Sequence, residues 1–257
     1  MTAVAAALAE VRSRGMVLVL GADGRHGHLV TAAEHAPADA IEAADLLGEG
    51  SRALLVRVPV AAESLKAVRA QGFPTITTED LTDHRDRELA RVRRHGSARV
   101  PLPPGGFRAI GFVDGLGREH VAFVHGDPES APAPLVRLHG ECLLGDVLGS
   151  ALCDCRANLR AALDRIARAG CGVLVYVRAQ REAIRTALTA GAQRHSLTAL
   201  DRYVAAAILT DLGLRTIRLA VTGPAPELEG VRIVDRVPLP GGAWAWPDDA
   251  SAMGSAS

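Results

Sequence analysis

The chain has 257 residues, 48% hydrophobic and 23% charged, enough for one large core or two modest ones. Its formal net charge is zero, so no global field points to nucleic acid or a membrane surface, and no apolar run approaches the ~18 to 20 residues of a membrane span. Small-molecule chemistry in a cytoplasmic protein is the expectation, with no nucleic-acid and no membrane partner; the Ala-rich start also lacks a basic region ahead of its apolar stretch.

In chain order, a helical face at Val4, Leu8 and Val11 leads to the apolar run MVLVL at 16–20, and LVTAAE at 29–34 reads as a second strand. A helix is expected from about Pro37, with Ile41, Ala44 and Leu47 at helical spacing. ALLVRVPV at 53–60, a helix over 63–71, the short TITT and the charged helix DLTDHRDRELARVRR complete an alternating α/β region over 1–95. The Pro/Gly-rich 96–106 reads as a linker. Beyond it, FRAIGFVDG and EHVAFVHGD flank the turn GLGR as a hairpin, and LVRLHG is a strand running into three cysteines. An amphipathic helix (Leu159, Leu163, Ile166), the buried strand GVLVYV, helices near 181–190 and 198–212, and the strands TIRLAV and VRIVDRVPL follow, so 107–240 forms a second domain. The whole is α/β, mixed toward α+β, with a flexible tail over 241–257.

Lys66 is the only lysine among 29 basic residues, a bias that fits GC-rich coding and leaves no lysine beyond it to hold a phosphate or form an imine. Cys142, Cys153 and Cys155 are spaced C-x10-C-x-C. A disulfide is disfavoured in a reducing compartment. Cys171, alone ahead of GVLVYV, reads as a small buried hydrophobe. Three thiolates suit zinc and leave a fourth position either open to water or closed by His139 or Asp154. If open, zinc brings the pKa of its water toward ~7 and makes a hydroxide available for attack on an electrophilic carbon.

The stretch VRLHGECLLGDVLGSALCDC resembles the zinc signature of GTP cyclohydrolase II, which opens the imidazole ring of GTP at the head of riboflavin synthesis, and the likeness extends over about 100–240. The segment AEVRSRGMVLVL through LLGEG resembles the opening of the dihydroxybutanone phosphate synthase domain that precedes the cyclohydrolase in bifunctional riboflavin proteins. Its acidic metal loop here reads GADGRHGH, keeping Asp23 but carrying Arg25, His26 and His28, and much of the synthase middle is missing. Residues 1–95 are therefore expected to be a truncated, inactive relic; the rival is a small metal site of Asp23, His26 and His28.

Carried over residue by residue, the resemblance implies Cys142, Cys153 and Cys155 as zinc ligands and Arg137, Asn158, Arg178 and Thr222 as substrate-binding. Glu141 and His139 are the implied proton carriers, and Asp201 with Arg202 are what remains of the downstream catalytic segment. Where the family has Asp-x-Arg-Asp-Tyr, with a proton acceptor and an arginine proposed to attack the triphosphate, this chain has Thr198, Ala199, Leu200 and Asp201. The Gln-Glu-Gly-Arg run becomes Ala179, Gln180, Arg181 and Glu182, the active-site tyrosine stretch is deleted, and the Thr-Asn-Asn-Pro-Lys-Lys segment becomes VTGPAPE. Each lost charge-assisted phosphate contact is worth roughly 1.5 to 3 kcal/mol, so triphosphate capture is expected to suffer.

Three readings stay open. One is a divergent zinc cyclohydrolase or amidohydrolase whose hydroxide attacks a purine-like or other nitrogen heterocycle. A second is a conventional GTP cyclohydrolase II with Arg181, Arg185, Arg194 or Arg202 as substitute phosphate ligands. The third is a non-catalytic paralogue with structural zinc that works as a partner. A homodimer is implied by the resemblance.

Overall fold

The computed structural model describes residues 2–13, 15–32, 55–60, 64–178 and 197–239, which divide into two compact units, Met1–Asp86 and Arg87–Ser257. The helices expected from Pro37 and near 181–190, the arginines 181, 185 and 194, and the tail 241–257 lie outside the described residues.

In the first unit, α1 (Ala3–Arg12) is followed by β1 (Val17–Leu20), β2 (Gly27–Ala32), β3 (Leu55–Val60), α2 (Leu65–Ala70), β4 (Thr75–Thr77) and α3 (Thr78–Leu89), the last running past the unit boundary. Thr2 starts α1 by accepting a hydrogen bond from the Ala5 amide at 3.2 Å. The strands form a sheet of order β3-β2-β1-β4, parallel only between β1 and β4. Side chains alternate across a strand, so Val17 packs with Ala7 and Val11 of α1 on one face while Leu18 and Leu20 pack with Leu65 of α2 on the other.

The second unit is built on a seven-stranded mixed sheet of order β11-β10-β8-β9-β7-β6-β5. Its strands are β5 (Arg93–Leu102), β6 (Gly105–Val113), β7 (Glu119–His125), β8 (Leu135–Gly140), β9 (Gly172–Val177), β10 (Thr216–Val221) and β11 (Arg232–Pro238); its helices are α4 (Cys155–Arg168) and α5 (Ala199–Asp211). The meander β5-β6-β7 is antiparallel and joins β9 antiparallel, whereas β8, β9, β10 and β11 run parallel.

Two sequence expectations change here. Residues 96–106 are not a linker but most of a hairpin, with Arg99 opposite Arg108 and Leu102 opposite Gly105, and the boundary between units falls earlier, between Asp86 and Arg87. Cys171 is half-buried rather than buried.

The connections decide where a site can form. From β8 the chain crosses through α4 to β9 on one side, then through α5 to β10 on the other side of β8, so crossovers of one hand place the two helices on opposite faces. Leu135 and Leu174 pack against Leu163 and Ile166 of α4, while Val136, Leu138, Val173 and Val175 pack against Val204, Ile208 and Leu209 of α5. This reversal makes the carboxyl ends of β8 and β10 the switch point of the sheet, where the general rule for open α/β sheets puts the ligand crevice.

Candidate metal centre

The crevice is furnished by the α4 face. Alternation along β8 puts Arg137 and His139 on the same face as Leu135, and the register places Tyr176 of β9 directly beside His139. Past the end of β8, Cys142 opens a π-helical turn, Leu143–Val147, and the chain returns to Cys153 and to Cys155, the first residue of α4. The three sulfurs lie within 4.8 Å of one another, with Cys142 Sγ and Cys153 Sγ 3.6 Å apart.

Two local features make this convergence possible. A side-chain carbon on Gly145 would stand 2.6 Å from Cys153 Sγ, 2.9 Å from Cys155 Cβ and 3.2 Å from Cys142 Sγ, so only glycine leaves room. The Gly145 amide also donates to Cys142 Sγ at 3.2 Å. Cys155 sits at the N-terminus of α4, where exposed amides and the helix dipole favour a thiolate. Burial nonetheless pushes the Cys142 and Cys155 thiols up, and the neighbouring Cys153 adds to it for both. Three thiols gathered where ionisation is unfavourable suit a divalent cation, which supplies the missing counter-charge. The donor set and its spacing therefore fit zinc.

Neither candidate for a fourth protein ligand joins the cluster. His139 is committed through Nε2 to both oxygens of Asp146, each at 3.0 Å, and Asp154 stands at the N-cap position of α4 with no side-chain capping hydrogen bond and outside the sulfur cluster; among the described residues the cluster that fits one ion is Cys142, Cys153 and Cys155. Asp146 was not foreseen from sequence, nor was Tyr176, whose hydroxyl donates to Asp146 Oδ2 at 2.8 Å while its ring stacks on His139 at 5.5 Å. Burial alone would raise the Asp146 carboxyl, but the hydrogen bond and charge of His139, with the Cys142 amide and the Tyr176 hydroxyl, bring it below its ordinary value. Burial and the same carboxylate raise Tyr176. The signal available in the sequence was Asp146 four residues after the first cysteine.

The expected substrate residues are distributed as follows. Arg137 Nη1 donates to the Ala220 carbonyl at 3.0 Å and Nη2 to Thr222 Oγ1 at 3.3 Å, bringing these two positions together across β8 and β10. Its Nε is buried without a hydrogen-bond partner, and burial lowers its pKa while the charge of Cys155 acts to raise it. Asn158 lies one turn into α4 from Cys155. Glu141 follows β8, its amide bonded to the Val177 carbonyl and its carboxylate 3.9 Å from Arg178 Nε.

Asp201 and Arg202 belong to a second network on the α5 face. Thr198 and Asp201 form a capping box at the start of α5, and Asp201 Oδ1 accepts from Arg118 Nη1 at 2.9 Å. Arg118 also donates to Asp114 Oδ2 at 2.7 Å, and His120 Nε2 donates to the same oxygen at 3.1 Å. Burial would raise Asp114, but Arg118 and His120 bring it below its ordinary value; burial lowers His120. Arg202 Nη1 donates to the Leu197 carbonyl at 3.3 Å. Thr198, which occupies the position of the family's proton acceptor, is thus a helix cap.

In the first unit, His26 Nδ1 and Asp23 Oδ2 are hydrogen-bonded at 2.8 Å on the surface, and His26 and His28 line an otherwise mostly aliphatic cavity of about 540 Å³ against α1. They form no three-residue metal cluster with Asp23 among the described residues.

Residues 93–238 match the family GTP cyclohydrolase II. The chain is 36% identical over 250 residues to the riboflavin biosynthesis protein RibBA of Mycobacterium ulcerans, covering 84% of this chain and 57% of that one. It is 34% identical over 238 residues to RibBA of Bacillus mycoides, covering 84% and 59%, so it spans little more than half the length of these curated relatives. Among solved structures it is similar to RibBX, a two-domain 3,4-dihydroxy-2-butanone 4-phosphate synthase from A. baumannii, with a TM-score of 0.59 over 91% of this chain and 98% of that one; at 17% identity this likeness is one of fold.

Proposed function

This chain belongs to the GTP cyclohydrolase II family, and from that premise we propose that its second unit is a zinc-dependent hydrolase that opens a carbon–nitrogen bond in a guanine-like nitrogen heterocycle. The observation that carries the reading is the convergence of Cys142, Cys153 and Cys155 at the switch-point crevice beside Arg137 and Thr222. The three cysteines hold the ion. When bound, zinc at such a three-thiolate site acts as a Lewis acid that activates water near neutral pH.

The chain's own groups do the rest. Glu141 carries a proton at the mouth of the site, beside Arg178, and Asn158 and Arg178 flank the heterocycle. Arg137 is a cation with no carboxylate partner among the described residues and a buried Nε–H left over. It suits an anionic group, either the thiolate centre or a phosphate. The first unit is a truncated synthase-like region with no synthase activity, and the protein works in the cytoplasm as a homodimer.

A second reading, conventional hydrolysis of GTP, is favoured by the family match itself, which runs through the whole of β5 to β11. One experiment separates the two. Purified, zinc-analysed protein is incubated with GTP, GDP, GMP, guanosine and related purines, and formate is measured. Turnover of GTP with rescue of a riboflavin auxotroph supports the conventional reading. Turnover confined to substrates without a triphosphate supports the divergent one. Zinc-loaded protein silent across the panel refutes both and leaves the non-catalytic paralogue. Cys153→Ser should abolish both metal content and formate release.

A further inference from the structure

Asp146 lies outside every role assigned so far, yet it is the point at which the metal loop is tied to the sheet. Its carboxylate is 4% exposed and accepts from three directions: the Cys142 backbone amide at 3.0 Å, the Tyr176 hydroxyl at 2.8 Å and His139 Nε2 at 3.0 Å. The first of these donors belongs to a metal-ligand residue, the second stands on β9, and the third on β8. The π-helical turn makes this possible by folding the chain back so that Asp146, four residues after Cys142, points under the loop that carries the sulfurs.

We propose that Asp146 is the positioning residue of the metal centre: it fixes Cys142 against β8 and β9 and holds His139 with its proton on Nε2. A carboxylate offers no hydrogen to share, so the imidazole must donate from Nε2, and in the neutral ring Nδ1 is then the acceptor. Stacking on Tyr176, itself held by Asp146, sets the ring plane. Among the described residues Nδ1 of His139 has no hydrogen-bond partner, so the arrangement leaves one basic nitrogen in fixed orientation. Outer groups that orient a metal-binding loop in this way are worth about 10- to 100-fold in metal affinity.

The inference rests on the reading of the three cysteines as a metal centre but not on hydrolysis. The test titrates the metal-free full chain with Co²⁺ alone, following thiolate-to-cobalt absorption and the ligand-field bands. Asp146→Asn keeps one acceptor but presents an N–H₂ where the carboxylate accepts; it should weaken Co²⁺ binding about 10- to 100-fold and shift the ligand-field bands. Tyr176→Phe, which removes one bond and little volume, should weaken it less than about tenfold. Wild-type Co²⁺ affinity and band shape in folded Asp146→Asn would overturn the assignment, because a merely structural residue lowers the melting temperature of the metal-free chain and leaves the bound spectrum alone. If Asp146→Asn does not fold, Tyr176→Phe and the ¹⁵N spectrum of His139, identified by its absence in His139→Gln, decide; a proton on Nδ1 instead of Nε2 in the wild type overturns the proposal. A wild type that shows these Co²⁺ trends yet releases no formate refutes the hydrolase and leaves Asp146 in place. A wild type that gives no thiolate–cobalt band overturns both.

Discussion

Among the described residues the second unit contains two buried aspartate–histidine pairs, on opposite faces of one sheet at the same end of its strands. Asp146–His139 lies on the α4 face and Asp114–His120 on the α5 face. The chemistry of each pair is the same, a carboxylate accepting from Nε2. The other nitrogen makes the difference. His120 Nδ1 accepts from the Arg178 amide at 3.1 Å, and Arg118 adds a cation that reaches Asp114 and Asp201, so that network is nearly closed upon itself. His139 Nδ1 has no such partner among the described residues, and no arginine sits on Asp146. A sealed pair holds β7, β9 and α5 together; an open pair has capacity left for a ligand. An aspartate–histidine contact therefore signals function only once both ends have been traced.

The largest test is Asp114→Ala. Removing a fully buried carboxylate leaves Arg118 with Asp201 as its remaining carboxylate and the buried His120 Nε2 without an acceptor, and should cost about 3 kcal/mol of stability in urea denaturation. Zinc content at low denaturant should stay the same; loss of metal in step with stability would break the distinction between the faces. Next, Gly145→Ala inserts a carbon among the three sulfurs and against Cys155 Cβ, and should weaken zinc binding by on the order of tenfold or more in a competition titration. Thr198→Ala removes the cap of α5 and should cost about 1 kcal/mol with no effect on metal, which tests whether this position has become purely structural.

The smallest effect is in pH. His120 titrates below the ordinary histidine value because burial disfavours its charged form. The unfolded chain takes up that proton near pH ~6.5 and the folded chain only at lower pH, so acidification favours unfolding. The stability this adds is present above ~6.5 and falls as pH drops below it, by at most about 1.4 kcal/mol per pH unit. His120→Gln should flatten that limb of the stability curve between pH 7.5 and 5.5. The contributions of Asp114 and Asp146, both below the ordinary carboxylate range, are kept above about pH 4 and lost beneath it in wild type and variant alike.

Much of the architecture could be read from pattern. The run GVLVYV and the alternation in LVRLHG are strands because both faces of the sheet are covered, and the spacing of Leu159, Leu163 and Ile166 is that of a helix with one buried face. β5 was missed for a physical reason: as an edge strand it is mostly exposed, with arginine, glycine and proline where apolar alternation would be looked for, and its form comes from pairing with β6. The three cysteines were legible because their spacing is local. Asp146 and Tyr176 were not, since their meeting depends on a register between β8 and β9 and on a π-helical turn, neither of which has a periodic signature. Asp201 shows the reverse case. Its motif suggested chemistry, whereas its oxygens are engaged by the Thr198 amide and Arg118.

The π-helical turn sorts its residues unevenly. Gly145 is buried among the sulfurs and Asp146 points beneath them, while Leu143, Val147, Leu148 and Leu152 stand 40%, 63%, 67% and 55% exposed. Saturation mutagenesis across 142–155 would therefore read as a comb, with intolerant teeth at 142, 145, 146, 153 and 155, a lesser one at Gly149 where φ is +67°, and permissive positions at the exposed leucines and valine. The loop's outer surface is thus free of the packing that constrains its inner positions.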